Sequence, residues 1–284
     1  MNADGIRCEN DVKLGQALLE DPMVKGVKEQ IDRMAEKGPM GVRRRLLSSS
    51  VRLSRAMSPE VHRMADHCIE ALGVDLPLEL YVYASPQFNA ACFKPEEGRL
   101  FVIFSSSLLE SFDDNELLFV VGHEFGHHVY GHHDIPVGYI LNGQQRPAAS
   151  LALQLFAWTR YAEISADRAG AYCANDFEAV ARALFKLASG LTSNRIVRFN
   201  LKDFLKQLDE MQTFDEVPGQ GAPMEDWFST HPFSPLRVKA LQMVHRSELM
   251  RPGGTLKAEL EVNVQGMMGM MEPDYLEGRT DVAK

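Results

Sequence analysis

Two histidines and a glutamate lie within five residues of one another in the middle of this 284-residue chain. The segment reads HEFGH, with His123, Glu124 and His127 at its first, second and last positions. On an α-helix, residues four positions apart project from nearly one face, about 6 Å apart along the axis, which suits two imidazoles on one Zn²⁺ ion. Glu124 is placed to take a proton from a zinc-bound water, whose pKa the ion lowers to about 7. The pattern therefore predicts zinc-assisted hydrolysis.

The sequence around HEFGH predicts the helix that this chemistry needs. Asp113 with Glu116 three residues later is a capping-box pattern, which opens an apolar run over 115–130 that Gly131 ends. A shuffled chain of this composition would contain HExxH only about twice in a hundred. Because this match falls on a capped apolar helix directly after a predicted strand, the context favours a metal site.

A second interpretation treats the histidines as a basic helix end. Five of the nine histidines lie between positions 123 and 133, and cationic side chains near a helix C-terminus complement the negative end of its dipole. This explanation covers the three histidines outside the HExxH positions, which are His128, His132 and His133. It does not account for the pairing of His123 with Glu124.

A catalytic zinc site with two histidines needs a third protein ligand and an open position for water. Glu163 on a following helix is one candidate, and Asp167, four residues later on the same face, can orient a ligand imidazole. His133 is the other candidate, because it stands ten residues after His123, as in the HExxHxxGxxH pattern. That pattern requires glycine at position 130, whereas this chain has Tyr130 and its glycine one position later. We therefore favour Glu163.

The remaining sequence predicts an α+β fold, mainly helical, with a small antiparallel-type sheet beside the HEFGH helix. Strands are predicted at 78–84, 88–93 and 100–104. Further helices are predicted at 59–72, 150–174, 176–189, 201–212 and 235–250. The expected organisation is a helical N-terminal extension at 1–58, a zinc metalloprotease domain at 59–250 and a C-terminal tail at 251–284.

Composition excludes several other classes of protein. The 30 Lys and Arg residues against 39 Asp and Glu residues give a net charge of −9, the wrong sign for a surface that binds nucleic acid. The four cysteines are far apart and predict neither a disulfide framework nor a cysteine zinc site. No stretch reaches the roughly 18 apolar residues of a spanning helix, and the N-terminus lacks a signal-peptide pattern. We therefore expect a cytoplasmic protein without an integral membrane segment.

Three motifs in order resemble the gluzincin metalloendopeptidases related to HtpX, the CAAX prenyl proteases and the Oma-type proteases. They are HEFGH at 123–127, EISADR at 163–168, and His231-Pro232 followed by Arg237. The resemblance covers about residues 60–250 and implies a zincin-like metalloprotease domain. The best-known members carry membrane helices near this point of the chain, whereas the stretch at 134–149 is short and polar. The resemblance therefore implies a soluble member that cleaves polypeptide substrates.

The resemblance also implies roles for individual residues in the metal site. His123, His127 and Glu163 would bind one Zn²⁺ ion per chain. Glu124 would be the general base and then the general acid. Asp167 would hold a ligand histidine in its orientation.

Four further residues have implied roles around that site. His231 would face the metal from a loop and either stabilise the oxyanion or cap the metal in a resting state. Arg237 would anchor that loop or assist the oxyanion. Asn89 and Ala90 resemble the family's edge-strand segment, along which a peptide substrate would add as an extra strand.

Two other functions and one structural hypothesis stay open. The same ligands could hold a zinc-stabilised, non-catalytic interaction module, although an intact Glu124 has no use in a purely structural site. A His₃ metalloprotease that uses His133 is the other alternative. The stretch at 134–149 joins two ligand-bearing helices, and such long connections often act as lids, so we expect it to gate the cleft.

Overall fold

A computed structural model describes residues 3–36, 38, 41–192, 195–215 and 224–272, so residues 273–284 of the predicted tail lie outside the described part. The helices are α1 (Ala3–Ile6), α2 (Glu9–Glu20), α3 (Pro22–Glu36), α4 (Val42–Ser49), α5 (Pro59–Leu72), α6 (Ser106–Ser111), α7 (Asp114–Val129), α8 (Val137–Asn142), α9 (Ala149–Ala174), α10 (Phe177–Ser189), α11 (Leu201–Asp215), α12 (Met224–Trp227), α13 (Ser234–His245) and α14 (Lys257–Met268). The strands are β1 (Val51–Leu53), β2 (Leu78–Tyr83), β3 (Ala90–Glu96) and β4 (Arg99–Ser105). The α+β class predicted from the sequence is confirmed.

The sheet is mixed, so the expectation of an antiparallel-type sheet is wrong for its central pair. The strand order is β1-β2-β4-β3, with β2 and β4 parallel and the two outer pairs antiparallel. The chain crosses from β2 to the edge strand β3, and a tight turn then returns it as β4 into the position between them. That return reverses direction once more, which makes β4 parallel to β2.

Two elements were not anticipated in the outer segments. The N-terminal extension is not purely helical, because β1 pairs with β2 through Val51 and Val82. Three residues are too few to show strand periodicity. The C-terminal tail contains α14, whose Met268 is fully buried and packs against residues of α1, α9 and α13.

The main core lies between the sheet and helices α5, α7, α9 and α10. The apolar run of α7 supplies Phe119, Val121 and Phe125 to it. Helix α7 is therefore enclosed on several sides, which holds the HEFGH segment in a rigid element.

Residues outside the predicted metalloprotease domain pack against the inner helix α9. The guanidinium of Arg168, which is fully buried, donates to Glu261 Oε1 at 2.5 Å and to the Ile6 carbonyl at 3.3 Å. The backbone N–H of Cys8 donates to Ser165 Oγ at 3.1 Å. Both ends of the described chain are thus joined to α9, while the predicted boundaries at 58 and 250 stay a prediction. Among the described residues, no helix has the length and apolar character needed to cross a membrane.

Candidate metal centre

Helix α7 begins at the capping box that the sequence predicts. The Asp113 side chain accepts from the Glu116 backbone N–H at 3.0 Å, and Glu116 Oε2 accepts from the Asp113 N–H at 2.9 Å. The helix ends at Val129, and Gly131 follows in the left-handed conformation with φ 68°. His123, Glu124 and His127 therefore lie in the last two turns of a well-defined helix.

Small residues let α7 approach α9 very closely. A Cβ atom added at Gly126 would lie 2.9 Å from Ala169 Cβ, and one added at Gly170 would lie 2.4 Å from the Phe119 carbonyl oxygen. Real Cβ atoms essentially never make contacts this short, so any larger side chain would separate the helices. This close packing brings Glu163 of α9 to the histidines of α7.

His123, His127 and Glu163 converge on one point, with ligand atoms that all lie within 4.8 Å of one another. The two Nε2 atoms are 3.1 Å apart, and the Glu163 oxygens lie 3.5 Å from His123 Nε2 and 3.4 Å from His127 Nε2. Glu163 Oε2 is buried and accepts no hydrogen bond among the described residues. Two imidazole nitrogens and one carboxylate with an unpartnered buried oxygen fit a zinc ion.

Asp167 holds His123 from the side opposite the convergent atoms. Its Oδ1 lies 2.9 Å from His123 Nδ1, and its two oxygens accept from Arg237 at 2.6 and 2.7 Å. Burial alone would raise the pKa of Asp167, but the charge and hydrogen bonds of Arg237 and His123 lower it below its ordinary value. An ionised Asp167 accepts from Nδ1 and so leaves Nε2 of His123 as a free lone pair for a metal.

His127 has a different partner, which sequence reasoning missed. Its Nδ1 lies 2.8 Å from Nδ1 of His132, and His132 Nε2 lies 3.1 Å from Asp11 Oδ2. One interpretation of the sequence places His132 in a basic helix end, yet the ring is buried and burial lowers its pKa. No local pattern links Asp11 to His132, because 121 positions separate them.

Glu124 is fixed by the edge strand β3. The backbone N–H of Cys92 donates to Glu124 Oε2 at 2.8 Å, and the carboxyl group is buried. Burial and the charge of Glu124 raise the pKa of the Cys92 thiol well above its ordinary value, so this thiol is not a nucleophile. One oxygen of Glu124 is therefore held, and its other oxygen is left for a further partner.

The edge-strand residues predicted to bind substrate face different directions. Asn89 forms hydrogen bonds with two other strands of the sheet. Its carbonyl accepts from the Ser105 N–H of β4 at 2.9 Å, and its side-chain amide donates to the Tyr83 hydroxyl of β2 at 3.1 Å. The Cys92 N–H points away from β4, toward Glu124. Because backbone groups alternate along an antiparallel strand, Ala90 also presents its N–H and carbonyl outward.

His231 and Arg237 approach different oxygens of Glu163. His231 Nε2 is 3.6 Å from Glu163 Oε1, on a side chain that is 62% exposed. Its Nδ1 lies 2.9 Å from the Thr230 hydroxyl. Arg237 is buried and directs its guanidinium to Asp167, with one nitrogen 3.7 Å from Glu163 Oε2. The loop histidine thus reaches the open side of the centre, whereas the arginine supports it from within.

His133, the alternative third ligand, is not part of the convergent group found among the described residues. Its ring centroid lies 6.4 Å from that of His127, and burial lowers its pKa to about 4. A neutral imidazole therefore stands beside the centre rather than in it.

A cavity of about 1040 Å³ opens beside His127 and Glu163. Its lining is largely apolar and comes from the end of β3, from α3 and α4, and from the stretch at 134–149 that was predicted to gate the cleft. This stretch contains α8, whose Ile140 is fully buried against α3 and α9. It forms a wall of the cavity, and its role as a gate stays a prediction.

Comparison with known proteins places the chain in a peptidase family. Residues 55–145 and 138–245 match peptidase family M48. The chain is 28% identical over 218 residues to the plastoglobule-localized metallopeptidase 48, chloroplastic, of Arabidopsis thaliana, covering 71% of this chain and 61% of that protein. It is 24% identical over 219 residues to a protease HtpX homolog of Helicobacter pylori strain J99, covering 64% of this chain and 66% of that protein. The chain thus spans less than two thirds of each relative, and no solved structure matches it.

Proposed function

Since the chain belongs to peptidase family M48, as its three motifs predicted, we propose that it is a zinc-dependent metalloendopeptidase that hydrolyses internal peptide bonds of polypeptides. The observation that carries the proposal is the convergence of His123, His127 and Glu163, together with the carboxyl group of Glu124, which lies next to His123 along α7 and close enough to act electrostatically on His127. A purely structural zinc site would not need that carboxyl group.

The ion would be held by the three convergent side chains, one ion per chain. When bound, zinc supplies Lewis acidity, which lowers the pKa of water to about 7 and polarises a carbonyl group. Asp167 keeps His123 in the tautomer that offers Nε2, and Arg237 keeps Asp167 ionised. Arg237 therefore acts on the ligand set as a positioning residue and need not touch the substrate.

Glu124 would move the proton in both halves of the reaction. With Oε2 held by the Cys92 N–H, Oε1 takes a proton from the attacking water and then delivers it to the nitrogen of the leaving amine. Such general acid–base catalysis contributes about 10²- to 10⁴-fold to a rate.

His231 would stabilise the oxyanion that forms at the attacked carbonyl. Its exposed imidazole lies on the open side of Glu163, where a substrate carbonyl would enter. A well-placed donor of this kind lowers the activation barrier by about 3–4 kcal/mol.

The substrate would lie along the outer side of β3. Ala90 presents free backbone groups there, next to the Cys92 N–H that holds the general base. Main-chain hydrogen bonds to an edge strand bind a peptide with little regard to its sequence. The adjoining cavity would add selectivity by taking large apolar side chains next to the cleaved bond. A cytoplasmic location stays a prediction.

The test compares Glu124→Gln with wild type for casein cleavage and for zinc content by intact mass. We expect a turnover loss of at least about 100-fold with one zinc per chain retained. Glu110→Gln, an exposed glutamate on α6, is the matched control and should cleave normally. Full activity of Glu124→Gln would exclude Glu124 as the base, and a zinc-loaded wild type without cleavage would favour the interaction module.

A parallel pair of variants tests the ligand set. Glu163→Gln should lose zinc, whereas His133→Gln should keep it, because His133 is not part of the convergent group. The reverse outcome would establish the His₃ alternative.

A further inference from the structure

Both convergent imidazoles have a hydrogen-bond partner on Nδ1, but the two partners are of different kinds. His123 has the carboxylate of Asp167 at 2.9 Å, whereas His127 has Nδ1 of another imidazole, His132, at 2.8 Å. An imidazole orients a ligand histidine only if it accepts a hydrogen bond from the ring N–H of that histidine. The chain of contacts must therefore continue to an acceptor beyond His132.

Metal binding through Nε2 of His127 would assign the protons along this series of contacts. If Nε2 of His127 is the lone pair that faces the metal, its Nδ1 carries hydrogen and donates to Nδ1 of His132. His132 then carries its own hydrogen on Nε2, which lies 3.1 Å from Asp11 Oδ2. Each donor meets one acceptor, and the reverse direction would place a proton on the metal-facing nitrogen of His127.

Asp11 is placed to accept this hydrogen bond. Its carboxylate is fully buried and also accepts from Arg7 Nε at 2.7 Å and from Trp158 Nε1 at 3.0 Å. Burial alone would raise its pKa, but the hydrogen bonds from His132 and Arg7 lower it well below the ordinary value. The three donors fix the position of the carboxylate on α2.

We propose that Asp11 is a positioning residue of the metal centre, which fixes the tautomer and ring orientation of His127 through His132. The proposal rests on the ligand set of the proposed function. Asp11 lies outside residues 55–245, the region that matches the peptidase family, so the N-terminal segment supplies part of the metal centre. The two ligand histidines are then supported in parallel, one directly by Asp167 and one indirectly by Asp11.

The competing explanation is that Asp11 only anchors α2 by binding Arg7 and Trp158. Both explanations predict a less stable protein when Asp11 is replaced, so stability does not separate them. Zinc affinity and the imidazole tautomer do separate them.

The experiment measures the zinc dissociation constant by chelator competition for wild type, Asp11→Asn, His132→Phe and the double variant. Loss of a partner that orients a ligand histidine weakens metal binding about 10- to 100-fold, which is the expected result for Asp11→Asn. The double variant should bind zinc no more weakly than His132→Phe, because Asp11 acts through His132. Wild-type affinity in Asp11→Asn, or additive losses in the double variant, would overturn the proposal.

Glu261→Gln is the matched control for general damage to the N-terminal packing. Glu261 is a buried carboxylate that accepts from Arg168 and from the Glu9 N–H, so it joins the N-terminal segment to α9 without touching the histidines. We expect it to lower the unfolding temperature but to leave the zinc dissociation constant within about twofold of wild type. A loss of zinc affinity equal to that of Asp11→Asn would show that packing alone explains the effect.

Wild-type protein gives an independent measurement that does not depend on how a variant folds. Nitrogen-15 NMR of histidine-labelled, zinc-loaded protein should show His132 protonated on Nε2 and unprotonated on Nδ1. The opposite tautomer would overturn the proposal. Zinc binding without peptide cleavage would exclude the proposed function but not the positioning role of Asp11. A wild type that binds no zinc would exclude both.

Discussion

The imidazole of His123 and the carboxylate of Asp167 are joined by a 2.9 Å contact across 44 positions of sequence. Asp167 is completely buried, and each of its oxygens accepts from one nitrogen of Arg237. One carboxylate therefore ties α7, α9 and α13 together at the proposed metal centre. The carboxylate that orients His123 also neutralises the buried guanidinium of Arg237.

Replacing Asp167 should therefore affect both metal binding and folding. In Asp167→Asn we expect zinc affinity to fall about 10- to 100-fold, because His123 loses its charged acceptor. The free energy of unfolding of the zinc-free protein should fall by about 3–5 kcal/mol, because the buried Arg237 loses its nearest countercharge and keeps only Glu163 at 3.7 Å. Chelator competition and urea unfolding measure the two effects.

Asp66→Asn is the control for that substitution. Asp66 makes a two-bond ion pair with Arg55 on the surface, so the chemical change is the same but the pair is solvated. It should change neither zinc affinity nor stability measurably. An equal effect at both positions would contradict the assigned role of Asp167.

The close contact of α7 and α9 predicts that Gly126 tolerates no side chain. In Gly126→Ala the new Cβ would lie 2.9 Å from Ala169 Cβ, so the helices must move apart and Glu163 must retreat from the histidines. We expect a loss of about 1–3 kcal/mol in the free energy of unfolding together with weaker zinc binding. Gly266→Ala on α14 is the matched control, because nothing lies within 4 Å and the change should stabilise the helix by about 0.5–1 kcal/mol.

The cavity beside the centre predicts a preference for apolar side chains in the substrate. Ala35 lines it from the exposed face of α3, so Ala35→Trp should narrow the cavity at little cost in folding. We expect kcat/KM to fall about tenfold for a peptide with phenylalanine next to the cleaved bond and to stay unchanged for the alanine analogue. Met34→Trp, an exposed neighbour outside the cavity lining, should leave both peptides unaffected.

A pH dependence of stability follows from Glu79, which joins α4 to the sheet. It accepts from Arg43 Nε at 3.1 Å and from the Tyr81 hydroxyl at 2.6 Å. Burial raises its pKa, but the hydrogen bonds of Arg43 and Tyr81 outweigh burial, and the pKa lies below its ordinary value of 4.5. A lowered pKa in the folded state means that ionised Glu79 stabilises the fold above pH 4.5, and that this effect is lost as the pH falls through the lowered value.

Glu79→Gln should therefore unfold more easily than wild type at neutral pH, and the difference should shrink toward zero as the pH falls from 4.5 through the lowered pKa of Glu79. Urea unfolding across this range measures it, with the exposed Glu70→Gln as the control for loss of one surface charge. A difference that grows on acidification would contradict the assigned sign.

Much of the fold could be predicted because its signals are local. A few neighbouring residues were enough to predict the capping box at Asp113, the helix end at Gly131 and the first helical residue at Pro59. The structure confirms the bounds of these helices closely. The parallel pairing of β4 with β2 could not be predicted in this way. It depends on the position that the chain takes in the sheet after β3, which no short stretch of sequence determines.

In the proposed metal centre, too, some features depend on local sequence and others depend on tertiary packing. The spacing of His123 and His127 is a property of one helix, so the residues themselves predicted that both rings share a face and that a carboxyl group stands beside them. Which side chains complete and support that pair depends on how α2, α9 and α13 pack against α7. Asp11 stands 121 positions from His132 and Asp167 stands 70 positions from Arg237, and contacts over such separations exist only once the core has brought their helices together.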